Sequence, residues 1–481
     1  MPEEKWIIRI PRHRGYCPKY YENSYPQYGN KDQAASMQDI SLRDPSALKP
    51  GPGIANLTAG DEDGAIKKTV KSILKTAVAS NVAYGIGSNL LQKFSATAVT
   101  NAGIWPHTIV GTGVVTGEDV CHYQGKLLYS LNDTGAAGDI GSYNLATIFD
   151  DTYWTGTLSG TALANAVHQM LLGGDDVAYI TNGRYIALLD DTSDNDKALD
   201  FWTDAVVASI TWNYNRVIAG VNRPGITGVN ANQSAVYRWN GYDSTWEGDP
   251  IEIEGRIGAL LTKNGVTYIW YEEFFQGAAR LTFGMLTGGS VTPLRTFSGT
   301  LPTYNQVASV GAYIIWMSGD DLLAWGPIDN EVQVDLFYLM TAKYSTTIGG
   351  IGAPFGSILI ASDNGTNYSL GYESGYSKSA SYKTIQFPTS GASTKSIVDR
   401  ITINTDILAT GARVDLTLRD NQETALWTDE MSYATDVAVT KKIFHPDAAG
   451  ENFRLEFSHA NGSTTNPVNI RETIIEGRNI V

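Results

Sequence analysis

One phrase recurs along this chain: an apolar strand, a Gly/Asn/Asp turn, and a second strand carrying aromatics. It is clearest in "DDVAYITNGRYIALLDDTS", Asp175 to Ser193. There Val177, Tyr179, Tyr185, Ala187 and Leu189 recur at strand spacing around the hairpin signal Asn182-Gly183. Related phrases begin at Asn81, Glu118, Asn215 (continuing at Ser234), Asn264, Gly311 and Gly356. About seven phrases at irregular intervals of roughly 40 to 55 residues lie in the range of propeller blades. A four-stranded blade cannot bury both of its faces alone. Radial packing buries them against neighbouring blades and leaves only short edges. The expectation is an all-β chain with a β-propeller of about seven blades over residues 61–375. No regular Trp-Asp pair or kelch-type double glycine fixes the count, so six and eight blades stay open.

Composition agrees with strands and tight turns. Charged residues make up only 18% of the 481, while there are 49 Gly and 26 Tyr. "GAIKKTVKSILKTAVAS" runs against the pattern, with Ile66, Val70, Ile73, Leu74, Ala77 and Val78 at helical spacing. Its place in the repeat calls for a blade's first strand, and the strand reading is preferred over the helix.

The two ends differ from the middle. Residues 1–60 read as an extended N-terminal arm, rich in Pro, Asn and Gly and ending at "KPGPG", Lys49 to Gly53. A free linker is poor in aromatics. This segment carries Tyr16, Tyr20, Tyr21, Tyr25 and Tyr28, which makes it an interface candidate, packing on its own domain or on a neighbouring subunit. Residues 376–481 alternate as antiparallel strands with one buried face, at Ile401 and Ile403, Val414, Leu416 and Leu418, Phe453, Leu455 and Phe457, and Ile470 and Ile474. They read as a C-terminal β-sandwich.

A net charge of −15 argues against a site that draws its affinity from nucleic-acid phosphates, while leaving an acidic wall past which a polyanion slides. Two cysteines, Cys17 and Cys121, exclude a disulfide framework; one bridge or two free thiols remain. "MPEEKWIIRIPRHRG" lacks the apolar core of a signal peptide, and no run of 18 apolar residues is present. The expectation is a protein kept in a cytosol until it is assembled or released, with no membrane span.

Catalytic and metal motifs are sparse. There is no phosphate loop, no G-x-S-x-G and no H-E-x-x-H, and no two of the six histidines stand at metal-ligand spacing. Asp190, Asp191, Asp194 and Asp196 are the one Ca²⁺ candidate, set against a solvated acidic loop because the order and glycine of an EF-hand are missing. Glu272 and Glu273 sit beside aromatics, yet neighbours on a strand point to opposite faces unless a bulge intervenes. Trp270, Trp316 and Trp325 read as blade packing. No catalytic residue and no cofactor is assigned, and the chain is read as no enzyme.

Two resemblances bear on function. Ile8-Arg9-Ile10-Pro11 resembles the Arg-Ile-Pro motif near the start of sialidases, and "SDNGTNYS", Ser362 to Ser369, is loosely similar to their Asp-box. That resemblance implies a carboxylate-binding role for Arg9. The second covers most of the chain. An arm with the texture "GYCPKYYENSYPQYGNKDQAASMQDISLRDPSALKPGPGIANLTAG", then a propeller, then a sandwich resembles tail nozzle and hub proteins of short-tailed bacteriophages. It implies a homo-oligomeric ring, a hexamer among the options, around a DNA channel in the virion tail. Its partners would be other tail or portal-adaptor proteins, with transient passage of DNA and contact with a host surface. A receptor- or glycan-binding virion protein and a propeller glycosidase are the alternative classes.

Overall fold

A computed structural model describes residues 5–10, 34–38, 40–43, 47–56, 58–59, 75–79, 82–87, 89–94, 98–100, 103–111, 113–134, 137–190, 193–223, 233–275, 278–326, 336–340, 348–363, 368–377, 379–384, 386, 395–420, 422–460 and 467–480. The opening hairpin forms as its pattern requires. Ala178–Asn182 pairs antiparallel with Tyr185–Leu189, and Gly183 takes φ +63° in the turn. Asn182 is the last paired residue rather than part of the turn. Its amide donates to the Asp196 carbonyl and accepts from the Ala164 N–H.

Both faces of this hairpin are buried, and alternate residues face different neighbours. Ala178, Ile180, Ala187 and Leu189 pack on the preceding blade, while Val177, Tyr179 and Ile186 pack on the following one. The same arrangement repeats around a ring. Among the described residues seven blades form, six of four strands and the first of six, with innermost strands Lys75–Ala79, Val115–Tyr123, Met170–Leu172, Val206–Asn213, the second half of Glu247–Lys263, Val307–Val310 and Ile348–Gly352. We number the blades 1 to 7 in that order. One apolar cluster lies at each junction, the last joining Leu359, Ala361 and Leu370 of blade 7 to Ala83 and Phe94 of blade 1. Trp270 and Trp316 are fully buried between blades 5 and 6, as blade packing predicts, with Trp325 beside them. The disputed segment is a strand where it is described, at Lys75–Ala79; residues 64–74 lie outside the described residues.

The sandwich has two antiparallel sheets. One orders Lys5–Ile10, Ile470–Asn479, Ser396–Thr405 and Lys441–Phe444, with Ala448–Gly450 also on Ser396–Thr405. The other orders Ala34–Gln38, Ser379–Thr384, Arg454–Ala460, Arg413–Arg419 and Ala425–Ser432. Val414, Leu416 and Leu418 face Ile401 and Ile403 across the core, as their alternation demands.

The expected separate arm needs correction. Its described strands belong to the two domains: Lys5–Ile10 and Ala34–Gln38 complete the sandwich sheets, and Pro52–Asn56 is the outermost strand of blade 7. Between them Ile40, Leu42 and Leu48 are buried together with Ile315, Met317 and Phe337 of blade 6 and with the sandwich core. The Tyr313 hydroxyl donates to the Arg43 carbonyl at 2.7 Å, and Arg43 forms an ion pair with Glu373 of blade 7. Extended Pro- and Gly-rich chain suits this course, because it adds edge strands to sheets built elsewhere. Tyr16, Tyr20, Tyr21, Tyr25, Tyr28 and Cys17 lie outside the described residues. Cys121 is a free thiol whose pKa is raised by burial and by Asp119.

Candidate functional site at the propeller axis

The innermost strands carry a shared irregularity. In blades 2, 4, 5 and 7 the pairing register slips by one residue, leaving Glu118, Ala208, Gly258 and Gly349 as the extra residue of a bulge. Three of these positions hold alanine or glycine. Blade 2 holds a glutamate.

The segment Leu301–Asn305, between blades 5 and 6, lies against three of these bulges, those of blades 2, 5 and 7. The Tyr304 hydroxyl donates to the Glu118 carbonyl of blade 2 at 2.8 Å. The Asn305 amide donates to the Gly349 carbonyl of blade 7 at 2.7 Å. A Cβ on Gly258 of blade 5 would lie 2.3 Å from the Pro302 carbonyl oxygen, so that approach requires glycine. The short segment therefore reaches from one side of the ring to the other and fills the axis.

Side chains next to the bulges tie successive blades together. Asp119 accepts from the Met170 N–H of blade 3 at 2.8 Å. Gln169 of blade 3 makes two bonds to Ile210 of blade 4, both 2.9 Å. Ser209 and Thr211 accept from the Leu260 and Thr262 N–H groups of blade 5, both at 3.0 Å. Backbone groups at a blade's inner edge have no strand partner inside the ring, and buried ones left unpaired are costly. Polar side chains thus satisfy several of the inner-edge groups.

Glu118 stands apart from this pattern. It is 4% exposed, and its Oε2 is buried with no hydrogen-bond partner among the described residues. Burial, and next the charge of Asp119, push its carboxyl up to about 7. It can therefore take up and release a proton near neutrality, beneath Tyr304, whose own hydroxyl is raised far above its usual value by burial.

A linkage prediction follows. The folded pKa exceeds the ordinary glutamate value of 4.5, so the folded state holds more protons between pH 4.5 and about 7. Stability falls across that window as pH rises and levels off above it. Glu118→Gln removes this slope. Thermal melts should show the variant gaining about 3 kcal/mol on the wild type between pH 4.5 and pH 8, from about 1.4 kcal/mol per pKa unit. Parallel profiles for the two proteins would contradict it.

The residues singled out from the sequence do not gather at the axis. Asp190 accepts from the Ser193 N–H, Asp194 and Asp196 lie on the outer strand of blade 3, and Asp196 pairs with Lys197. Among the described residues no three His, Cys, Asp or Glu side chains form a metal group, and Asp191 lies outside them. Glu272 pairs with Arg256, while Glu273 pairs with Arg280 and accepts from Thr282, so the two adjacent carboxylates have separate partners. Arg9 is on the sandwich strand Lys5–Ile10 rather than in the propeller, which removes the role implied by the sialidase resemblance. Glu118 itself was missed. Its signal was a charged residue at the head of a repeat phrase, where the bulges of blades 4, 5 and 7 carry Ala or Gly.

No family model and no curated protein matches the chain. Among solved structures that it is similar to are two glycoside hydrolases and a semaphorin. An exo-β-1,3-galactanase from Phanerochaete chrysosporium is 9% identical over 89% of this chain and all of that one, at TM-score 0.33. A glycoside hydrolase family 43 arabinoxylan arabinofuranohydrolase from Bacillus subtilis is 10% identical over 87% and 98%, at TM-score 0.29. Drosophila Semaphorin 2a is 8% identical over 80% and 96%, at TM-score 0.44. These likenesses concern the fold. With glycoside hydrolases among them, the exclusion of an enzyme made from sequence is overturned. Among the described residues no helix is long and apolar enough to cross a membrane.

Proposed function

We propose that this chain is a structural assembly subunit, a ring-forming tail nozzle or hub protein of a tailed bacteriophage. The observation that carries the reading is the single core shared by blade 6, blade 7, the sandwich and the N-terminal strands. It makes a rigid block of the two domains, as a subunit bearing load in a ring requires. The propeller's own axis is filled by Leu301–Asn305, so the DNA conduit of this reading lies between subunits, where −15 per copy supplies acidic walls. Heterologous contacts close most often as rings. The proposed partners are further copies of the chain and adjoining tail or portal-adaptor proteins, in a virion tail assembled in the host cytoplasm.

The blade 1–blade 2 junction offers a contact surface. Exposed Ile104 and Ile148 adjoin in sequence the packed rings of Trp105 and Phe149, and exposed Val110 and Val114 follow His107 a few residues on. Light scattering and negative-stain images of the purified protein, alone and with extracted tail components, test the reading. Closed rings are expected, and Val110→Asp with Ile148→Asp should shift them to monomers while leaving the melting temperature within a few degrees. A monomer under every condition would sink the proposal.

A further inference from the structure

A cleft of about 410 Å³ opens on blade 4, lined by Asn213, Tyr214, Arg216, Arg238 and Glu247 above buried Ile218. Its size lies within the range of small-molecule sites. Blade 5 holds several of these groups in place. The Asn213 amide donates to the Gly265 carbonyl at 3.2 Å and to Thr267 Oγ1 at 2.8 Å. Arg238 donates to the Gly288 carbonyl, and Arg216 pairs with Glu247. Tyr214 packs its hydroxyl against Gly265, where a Cβ would come within 2.2 Å, yet the residue stays 75% exposed.

The turn itself is unusual. Tyr214 and Asn215 both have positive φ, +45° and +59°, as a primed two-residue hairpin turn demands. Such a turn prefers Asn or Gly at its first central position, so tyrosine there costs stability. The strained residue is one that lines the cleft with an exposed aromatic side chain. Strain of this kind concentrates at ligand sites.

The charge is also local and opposite to the whole. In a chain of net −15, two guanidinium groups here face one carboxylate. We propose that this cleft binds an acidic saccharide unit, a hexuronate ring. Its carboxylate pairs with Arg238 and Arg216, its hydroxyls meet Glu247, and its C–H face lies on Tyr214. Guanidinium–carboxylate bonds are strong and directional, and an aromatic face takes up the apolar side of a pyranose. This site lies on different residues from the axial Glu118 and is independent of the assembly role.

The test is calorimetric titration with a glucuronate-containing tetrasaccharide, using the tetrasaccharide with its carboxylates reduced to alcohols as the neutral control. Saturable binding is expected, about tenfold or more weaker for the neutral sugar, for Arg238→Gln and for Tyr214→Ser, since one lost charge-assisted contact is worth about a factor of ten. Arg216→Gln, at an exposed side chain, serves as a second charge variant, and thermal melts verify that each variant is folded. The absence of saturable binding, equal affinity for the neutral sugar, or wild-type affinity in the folded charge variants would overturn the proposal.

Discussion

A chain shortened to begin at residue 61 is expected to lose its cooperative thermal transition, or to melt at least 10 °C lower. Deletion strips Pro52–Asn56 from blade 7 and leaves Tyr368–Tyr376 as a bare edge. It removes Lys5–Ile10 from Ile470–Asn479 and Ala34–Gln38 from Ser379–Thr384. It also takes away Ile10, Met37, Ile40, Leu42 and Leu48, each at most 5% exposed. At about 1.5–3 kcal/mol for each buried side chain the loss is roughly 10 kcal/mol, comparable with the whole stability of a typical domain. Scanning calorimetry of the shortened and full chains measures it. A shortened chain that melts like the full one would show that these strands only decorate a ring already closed.

The second large effect is expected from one glycine. The strand Glu247–Lys263 serves two blades, its first half as the outer strand of blade 4 and its second half as the inner strand of blade 5. It passes from one to the other at Gly255, where φ is +146°. A Cβ there would stand 1.6 Å from the Glu272 carbonyl oxygen, which is backbone and cannot swing aside. Gly255→Ala must therefore open the pairing with Val266–Phe275 or rebuild the bend. A loss of about 4 kcal/mol is expected, at the upper end for single substitutions, because backbone strain and lost pairing add. Chemical denaturation of the variant reads this directly; a change below about 1 kcal/mol would mean that the bend relaxes freely.

Glu118 and the N-terminal strands mark where sequence reading stopped. The repeat phrases disclosed the blades because strand alternation and turn glycines are local, and each phrase carries its own signal. Glu118 opens such a phrase, and nothing local says that the innermost strand bulges there or that Tyr304, 186 residues later in the chain, covers it. The same holds for Asp119 and Gln169, ordinary polar residues until the ring brings Met170 and Ile210 beside them. Glu272 and Glu273 show the reverse: strand geometry argued against one shared site before any contact was known, and their separate ion pairs agree.

By itself the sequence determined the strand class, the blade-like repeat, the sandwich alternation at Val414, Leu416 and Leu418, and the burial of Trp270 and Trp316. These depend on period-2 patterning and turn chemistry, which act over a few residues. Only the tertiary structure decided that residues 5–56 contribute strands to both domains, that a loop before blade 6 fills the axis, and that two arginines meet Tyr214 in a cleft of a net acidic protein. Each of these joins groups from distant stretches of chain. Their pairing is fixed by which edges and faces remain unburied once the blades have packed, a condition that no short window of sequence contains.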